Sequence, residues 1–305
     1  MIQPDLAQFP EARFVPSPER RQQYETDVVL GRSVMAGRRV VICGLARNIE
    51  QVLPRTIART ERIGSMFADY RVVLFENDSS DATPALLASW QRRNPRVTVL
   101  NDTLGHPVNR SVRCLERAER MALYRNRYRE HIAEHLADFD HTIVIDTDLE
   151  GGWSYDGLAH TFGQPAWDFV GSYGIIYKRI KSQPNVRLHY DAWAYREQGS
   201  YEELTTAYAN LLTWQRGDPL VPVFSCFGGL GVYRTQALVQ CEYRGTDVEH
   251  VPFHQQMRDQ GMGRQFLNPS QIVVYGRKWR TLDGLVLSWH DLLAMFTHRE
   301  ASVWL

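Results

Sequence analysis

Two carboxylates separated by one residue end a short apolar run in the segment IVIDTDLEGG, at Asp146 and Asp148. Hard divalent cations prefer oxygen ligands and often bind one or two carboxylates together with substrate phosphates. The pair therefore predicts a Mn²⁺ or Mg²⁺ site beside a diphosphate, where the metal would act as a Lewis acid on the leaving group. The spacing alone leaves open that one aspartate only caps the following turn.

A second polar cluster follows another apolar run, in the segment LFENDSSDAT. Glu76 and Asn77 come first after this run, and we expect them to hydrogen-bond the ribose and base of a nucleotide. Asp81 is better interpreted as the residue that caps the next helix, because short polar side chains commonly accept hydrogen bonds from backbone N–H groups there.

Alternating apolar runs and helical patterns surround these clusters. The patterns predict an α/β fold, with a Rossmann-like, mostly parallel twisted sheet that has helices on both faces, and ligands outside the carboxyl ends of the strands. Those ends follow Leu45, Phe75 and Ile145. After Ser172 the pattern is less regular. The predicted strands are 39–45, 71–75, 97–100, 141–145 and 230–233, and the predicted helices are 48–66, with Asn48 as its N-cap, 84–93, 111–136 and 251–260.

Composition excludes several classes of function. Lys plus Arg and Asp plus Glu number 35 each, so the chain has no net charge to attract nucleic acid. The four cysteines form no CxxC pair, which argues against a zinc ribbon and fits a reduced, cytoplasmic protein. No apolar run is long enough to span a bilayer, so any membrane contact is expected to be peripheral. The first strand is followed by neither a G-x-G-x-x-G nor a GK[ST] loop.

Six motifs together carry a family resemblance: GLARNIEQVLPRT, FENDSSDAT, RNRYR, VIDTDL, FSCFGGLGVYR and EHVPFHQQMRDQG. Over residues 39–275 the chain resembles the fungal capsular α-1,3-mannosyltransferase family and, more distantly, the family 2 glycosyltransferases. The resemblance implies a GT-A fold, a metal-dependent retaining transfer of a hexose, GDP-mannose as donor, and a glycan or glycolipid acceptor. Residues 1–37 lack clear apolar periodicity and are predicted to form an N-terminal arm. The rest is expected to form one domain, with a half that binds the nucleotide sugar (38–150) and a less regular acceptor-binding and catalytic half (151–305).

The same resemblance implies a set of donor contacts. Glu76 and Asn77 correspond to the two aspartates of the family 2 nucleotide motif. Arg47, Arg113 and Arg125 are candidates for the diphosphate, because guanidinium groups pair with phosphate bidentately. We expect the donor to contact Leu45, Ala46, Arg47, Glu76, Asn77, Arg125, Asp146, Thr147, Gly228 and Gly229.

The catalytic candidates are Asp191, Glu249 and His250. Glu249 matches the glutamate of a family 2 pattern, whereas His250 stands where that pattern has its catalytic-base aspartate. A histidine near its reference pKa of about 6.5 could act as this base in an inverting enzyme. A retaining enzyme does not need that base. Asp191 lies in YDAWAYREQ with Trp193 and Arg196, residue types suited to sugar hydroxyls and sugar CH faces, although Trp193 is equally interpreted as core.

A histidine near the C-terminus often completes the metal site of GT-A enzymes. His290 is the favoured third ligand, with His298 and the helical pair His250 and His254 as the alternatives. Two other functions remain open: a sugar nucleotidyltransferase, disfavoured by the single glycine in GLARNIEQ, and a catalytically silent nucleotide- or sugar-binding module, suggested by His250.

Overall fold

The computed structural model describes residues 5–109, 113–180 and 183–277. Eleven strands in this part of the chain form one sheet: β1 (Arg39–Ala46), β2 (Asp69–Asn77), β3 (Val97–Asp102), β4 (His141–Asp146), β5 (Gly152–Trp153), β6 (Phe169–Ile180), β7 (Gln183–His189), β8 (Arg196–Glu197), β9 (Val221–Ser225), β10 (Leu230–Arg234) and β11 (Gln265–Arg277). Their order is β3-β2-β1-β4-β10-β6-β11-β9-β8, with β7 beside β6 and β5 beside β11.

A 3₁₀ turn (Glu11–Arg13) and eight helices accompany the sheet within the described ranges: α1 (Pro18–Ala36), α2 (Leu53–Gly64), α3 (Thr83–Arg93), α4 (Leu115–His135), α5 (Tyr155–Gly163), α6 (Thr206–Leu211), α7 (Thr235–Gln240) and α8 (His250–Asp259). Among these, no helix is both long and apolar enough to cross a membrane.

The first four strands form the parallel part of the sheet, which confirms the predicted α/β class. β1 pairs in parallel with β2 and with β4, and β2 pairs in parallel with β3. Each of the five predicted strands is present, and its ends lie within two residues of the predicted ones. The apolar runs made these strands recognisable because a strand buried on both faces needs no polar alternation.

Helices cover both faces of this parallel part. Successive strand side chains point to opposite faces, and β2 shows the alternation clearly. Val72 and Leu74 pack in one buried cluster with Leu53, Leu87 and Trp90 from α2 and α3. Val73 and Phe75 belong to the main core, which also holds Tyr124, Tyr128 and Ile132 from α4.

The second half of the sheet is mixed. β10 runs antiparallel to both β4 and β6, whereas β11 runs parallel to β6. The sequence predicted only one strand and one helix after Ser172, but this half contains the two longest strands, β6 and β11. β11 has register irregularities at Asn268/Ile272 and Val274/Gly276, which interrupt the apolar alternation on which a sequence prediction relies.

Asn48 does not cap α2, contrary to the prediction. Its φ of 52° lies in the left-handed region, and the helix begins later, at Leu53. The Asn48 backbone N–H donates to Ser79 Oγ at 3.0 Å, and its side-chain Oδ1 accepts from the Ser80 N–H at 2.8 Å. Asn48 therefore links the loop after β1 to the loop after β2.

Residues 1–37 contain a 19-residue helix, α1, where the sequence predicted an irregular arm. Its buried positions are Tyr24, Val28, Gly31 and Met35. The buried positions have helical spacing, but one of them is a glycine, and the apolar residues Val29 and Leu30 are exposed, so the apolar pattern is faint. Gly31 lets α1 pack closely on α5. A Cβ added at Gly31 would lie only 1.7 Å from the Ala159 carbonyl oxygen, so no larger residue fits at this contact.

We expect Gly31→Ala to destabilise the protein, because the new methyl group would force α1 away from α5. Overpacking of a close contact typically costs about 1–3 kcal/mol. Urea unfolding of the purified variant measures this loss. Gly37→Ala is the matched control, since a Cβ there would meet only the Val34 oxygen at an ordinary 3.7 Å. Equal stability of the two variants would contradict the proposed helix contact.

Candidate active site

Asp146 and Asp148 lie at the carboxyl end of β4, where three hydrogen bonds fix the backbone between and around them. The Asp146 N–H donates to the Gly229 carbonyl at 2.9 Å. The Thr147 hydroxyl donates to the Leu45 carbonyl, and the Thr147 carbonyl accepts from the Thr56 hydroxyl at 2.7 Å. Thr147 is therefore buried, and the two aspartates on either side of it emerge at the sheet edge, Asp146 half-buried and Asp148 exposed.

Strand register brings the other predicted positions to the same edge. Leu45 is paired with Asp146, and Ala46 is paired with Glu76. The predicted strand-end residues of β1, β2 and β4 are thus neighbours, as expected for parallel strands.

A buried arginine lies directly behind Asp146. Arg125 Nε donates to Glu249 Oε1 at 2.8 Å, and its Nη2 lies 3.7 Å from Asp146 Oδ1. Its Nη1 donates to the Tyr128 hydroxyl at 3.2 Å. The Arg125 side chain is only 4% exposed, so its guanidinium neutralises neighbouring carboxylates and is not open for a diphosphate. This placement differs from the diphosphate contact that the sequence suggested.

Asp191 joins this cluster through the glycine turn before β10. Its Oδ2 accepts from the Gly228 N–H at 3.0 Å, and its backbone has a φ of 68°. Burial raises the pKa of Asp191 to about 7, with the Gly228 hydrogen bond opposing and the Glu249 carboxylate adding to the rise. The same turn positions Asp146, whose N–H bonds to Gly229.

Asp146 experiences similar electrostatics. Burial raises the pKa of Asp146 to about 7; Arg125 counteracts the rise, and the carboxylates of Asp148, Asp191 and Glu249 reinforce it. Four carboxylates and one guanidinium therefore share the region at the end of β4. The local excess of negative charge favours a bound cation.

Two tyrosines that the sequence did not single out lie beside Asp148 and Asp191, at the carboxyl end of β4. The Tyr275 hydroxyl donates to Asp148 Oδ2 at 3.0 Å. Tyr275 also stacks on Tyr190, with ring centroids 4.4 Å apart. Tyr190 directly precedes Asp191, so the sequence could have placed it near the site. Nothing in the sequence near Tyr275 connects it with Asp148.

The loop after β2 is tightly ordered by its own side chains. Glu76 is buried, and its Oε1 accepts from the Ser79 N–H at 2.9 Å. Asn77 Nδ2 donates to Asp78 Oδ2 at 2.9 Å. Asp78 in turn accepts from the backbone N–H groups of the loop after β3, at Leu104, Gly105 and His106.

Arg47 and Asp81 hold neighbouring loops in place. Arg47 donates to the carbonyl of His106 at 2.6 Å and to that of Pro107 at 3.3 Å, so part of its guanidinium is already used. Asp81 Oδ1 accepts from the N–H of Thr83, the first residue of α3, at 2.9 Å. This bond confirms the interpretation of Asp81 as a residue serving the helix N-terminus.

His250 and His254 lie in the protein core. His254 is fully buried, with Nδ1 2.9 Å from Ser225 Oγ and Nε2 3.0 Å from the Tyr233 hydroxyl. His250 is 2% exposed and stacks on Phe227 at 4.1 Å, and burial lowers its pKa well below the ordinary value. These are the surroundings of packed core histidines and not of an open metal pair.

Other polar candidates serve structural contacts. Arg113 Nη2 and Arg196 Nη2 pair with the two carboxylate oxygens of Asp247, at 2.7 and 3.0 Å. Arg113 also pairs with Glu203, so its guanidinium is engaged by two carboxylates. Trp193 is half-buried and faces the Arg117 guanidinium, 5.4 Å from its ring centre. His290 and His298 lie outside the described residues.

The donor set at Asp146 and Asp148 fits a hard divalent cation. Both side chains offer carboxylate oxygens at one edge, which are the ligands that Mn²⁺ and Mg²⁺ prefer. In the described ranges, no three His, Cys, Asp or Glu side chains form a group that could hold a metal ion. Two carboxylates fall within the one or two with which Mg²⁺ commonly binds in proteins.

No family model matches the chain, and no curated protein matches its sequence significantly. Solved structures do resemble it. GalNAc-T7 with UDP, GalNAc and Mn²⁺ has a TM-score of 0.51 at 12% identity, over 92% of this chain and 57% of that one. The mannosyltransferase PcManGT from Pyrobaculum calidifontis, in complex with GDP-Man and Mn²⁺, has a TM-score of 0.45 at 13% identity, over 84% of this chain and 66% of that one.

Glucosyl-3-phosphoglycerate synthase from Mycobacterium tuberculosis, with Mn²⁺, UDP and phosphoglyceric acid, has a TM-score of 0.43 at 13% identity over 88% of this chain and 78% of that one. The chain spans less than two thirds of the length of GalNAc-T7 and of PcManGT. The similarity to GalNAc-T7 shows the fold, which is that of the GT-A glycosyltransferases.

Proposed function

We propose that this protein is a divalent-metal-dependent glycosyltransferase that moves a hexose from a nucleotide diphosphate to a hydroxyl group. The observation that carries the proposal is the position of Asp146 and Asp148 at the carboxyl end of β4, in a sheet with the GT-A fold. In open α/β sheets this edge is where ligands bind.

Asp146 and Asp148 are the residues that would hold the cation. When bound, Mn²⁺ or Mg²⁺ supplies Lewis-acid stabilisation of the leaving diphosphate. The chain contributes the alignment: the Thr147 hydroxyl is bound to the Leu45 carbonyl, and the Tyr275 hydroxyl is bound to Asp148. The first bond fixes the backbone between the two aspartates, and the second restricts the Asp148 carboxylate before any ligand arrives, which reduces the entropy lost on binding.

The nucleotide is assigned to the loops after β1 and β2. Leu45 and Ala46 end β1 and are followed by Arg47, whereas the buried residues Glu76 and Asn77 end β2, and Ala46 is paired directly with Glu76. GDP-mannose is our preferred donor, and this preference rests on the sequence motifs alone. The glycan or glycolipid acceptor rests on the same resemblance.

Asp191 is assigned to the sugar. One of its oxygens accepts from the Gly228 N–H, and in the described residues no protein donor reaches the other at hydrogen-bonding distance. A carboxylate held in this way can accept a hydrogen bond from a sugar hydroxyl. We favour retention of configuration, because His250 is buried against Phe227 and is poorly placed to take a proton from an acceptor.

Replacing the metal carboxylates tests the central claim. Asp148→Asn and Asp146→Asn should each reduce metal-dependent sugar transfer by about 100-fold or more, because a neutral amide is a poor ligand for a hard cation. Hydrolysis or transfer of the donor is measured at fixed Mn²⁺. Asp138→Asn is the matched control, at the amino end of β4, where Asp138 pairs with exposed Arg39. Full activity of Asp148→Asn would refute the proposal.

Calorimetric titration tests the donor class. We expect GDP-mannose and GDP to bind in the presence of Mn²⁺ at least about tenfold more tightly than UDP-glucose and UDP, and to bind weakly after chelation. Preference for UDP would overturn the GDP-mannose assignment but keep the glycosyltransferase. Tight binding without turnover of any donor would instead favour a silent binding module.

A double-mutant cycle tests the role of Arg125. Arg125→Gln leaves Glu249 as an unpaired buried carboxylate and should lower the free energy of unfolding by about 3–5 kcal/mol. Adding Glu249→Gln should restore a substantial part of this loss, because both charges are then gone. Chemical unfolding of the two single variants and the double variant gives the coupling. Strictly additive losses would show that the pair does not act as a unit.

A further inference from the structure

A cavity of about 480 Å³ lies between the N-terminal segment, β6 and the loop before β9. Its volume falls within the usual range for small-molecule sites. None of its lining residues belongs to the region around Asp146. Tyr173 lines it, and Tyr173 precedes Gly174 on β6, where an added Cβ would contact the Gly228 carbonyl oxygen at 3.0 Å. Because adjacent side chains on a strand point in opposite directions, the cavity and the candidate active site lie on opposite sides of β6.

Three arginines give this cavity its charge. Arg13, Arg187 and Arg216 line it, and Asp218 is the only acidic residue in the lining. Arg216 is buried and paired with Glu11 at 2.6 Å. Arg13 and Arg187 are exposed, and the Arg187 guanidinium lies over the Tyr173 ring at 5.9 Å from its centre. In the described residues neither arginine has a carboxylate within ion-pairing distance. Two positive charges at the rim are therefore uncompensated.

The inner wall of the cavity is apolar and aromatic. Phe14, Tyr173 and Ile272 are buried lining residues, and Trp214 lines the cavity while half-buried. Aromatic faces cover the apolar CH surfaces of sugars, and guanidinium groups bind phosphate through paired N–H donors. The combination suits a ligand with a compact body of mixed polarity and a doubly charged anionic group at one end.

We propose that this cavity binds a phosphorylated sugar, with the phosphate held by Arg13 and Arg187 and the sugar ring against Trp214. The ligand is recognised without a metal ion, because the charges that hold it belong to the protein. The site is separate from the proposed transfer reaction and goes beyond it.

The proposal is tested by calorimetric titration of the full chain in EDTA with glucose 6-phosphate. Glucose, inorganic phosphate and glucuronate are the comparison ligands. We expect glucose 6-phosphate to bind at least about tenfold more tightly than each of them, because only it combines the ring with a phosphate. Equal or tighter binding of any comparison ligand would overturn the assignment.

Variants locate the binding. The double variant Arg13→Ala/Arg187→Ala should weaken glucose 6-phosphate binding by at least about tenfold. The control Arg92→Ala/Arg244→Ala removes two exposed arginines that do not line the cavity and should leave the affinity unchanged. Asp218→Asn should tighten binding about threefold by removing the only acidic side chain of the lining, a gain that misfolding cannot mimic.

Asp148→Asn separates this site from the candidate active site. Unchanged glucose 6-phosphate affinity in this variant supports the cavity, whatever the outcome for transfer activity. Loss of binding in Asp148→Asn, or retained binding in Arg13→Ala/Arg187→Ala, would overturn the proposal. Failure of the proposed glycosyltransferase activity alone would leave it standing.

Discussion

The candidate active site depends on one buried charge, the guanidinium of Arg125. It contacts Glu249 at 2.8 Å and lies 3.7 Å from Asp146. Opposite charges about 4 Å apart attract by roughly 4 kcal/mol at an effective dielectric constant of about 20. Without this attraction, burial would raise the pKa values of Asp146 and Asp191 further. Arg125 thus opposes the rise in the pKa of Asp146 and favours its ionised form, which is the form that the proposed divalent cation would bind.

A two-glycine turn connects this charge cluster to the sheet. Gly229 accepts the Asp146 N–H, and Gly228 donates to the Asp191 carboxylate. Both glycines have positive φ values, 68° and 86°, and a Cβ on Gly228 would lie 2.1 Å from the Ser172 carbonyl oxygen. Only residues without a side chain allow β6, the end of β4 and the segment around Asp191 to approach this closely. Backbone hydrogen bonds to this turn therefore fix the position of Asp191 relative to Asp146.

The sequence was informative where a single physical signal dominated. β1, β2 and β4 are continuous apolar runs, so their ends, and with them Asp146 and Glu76, could be predicted. Helix α1 was missed because Gly31 replaces an apolar contact residue with a close backbone approach. The Tyr275 contact to Asp148 spans 127 positions and depends on the irregular register of β11, which no local pattern encodes. Arg125 was predicted to contact the diphosphate, whereas its burial behind Asp146 follows from tertiary packing that no local pattern encodes.

The net charge of zero hides an uneven distribution of charge across β6. Carboxylates collect at the end of β4, on the side of Gly174, and arginines collect in the cavity on the side of Tyr173. If the free arginines of the cavity faced the carboxylates, the two groups would form ion pairs, and neither would retain charge for a ligand. The alternation of side chains along one strand prevents this neutralisation. The intervening strand thus separates the carboxylates that we propose bind a cation from the arginines that we propose bind a phosphate.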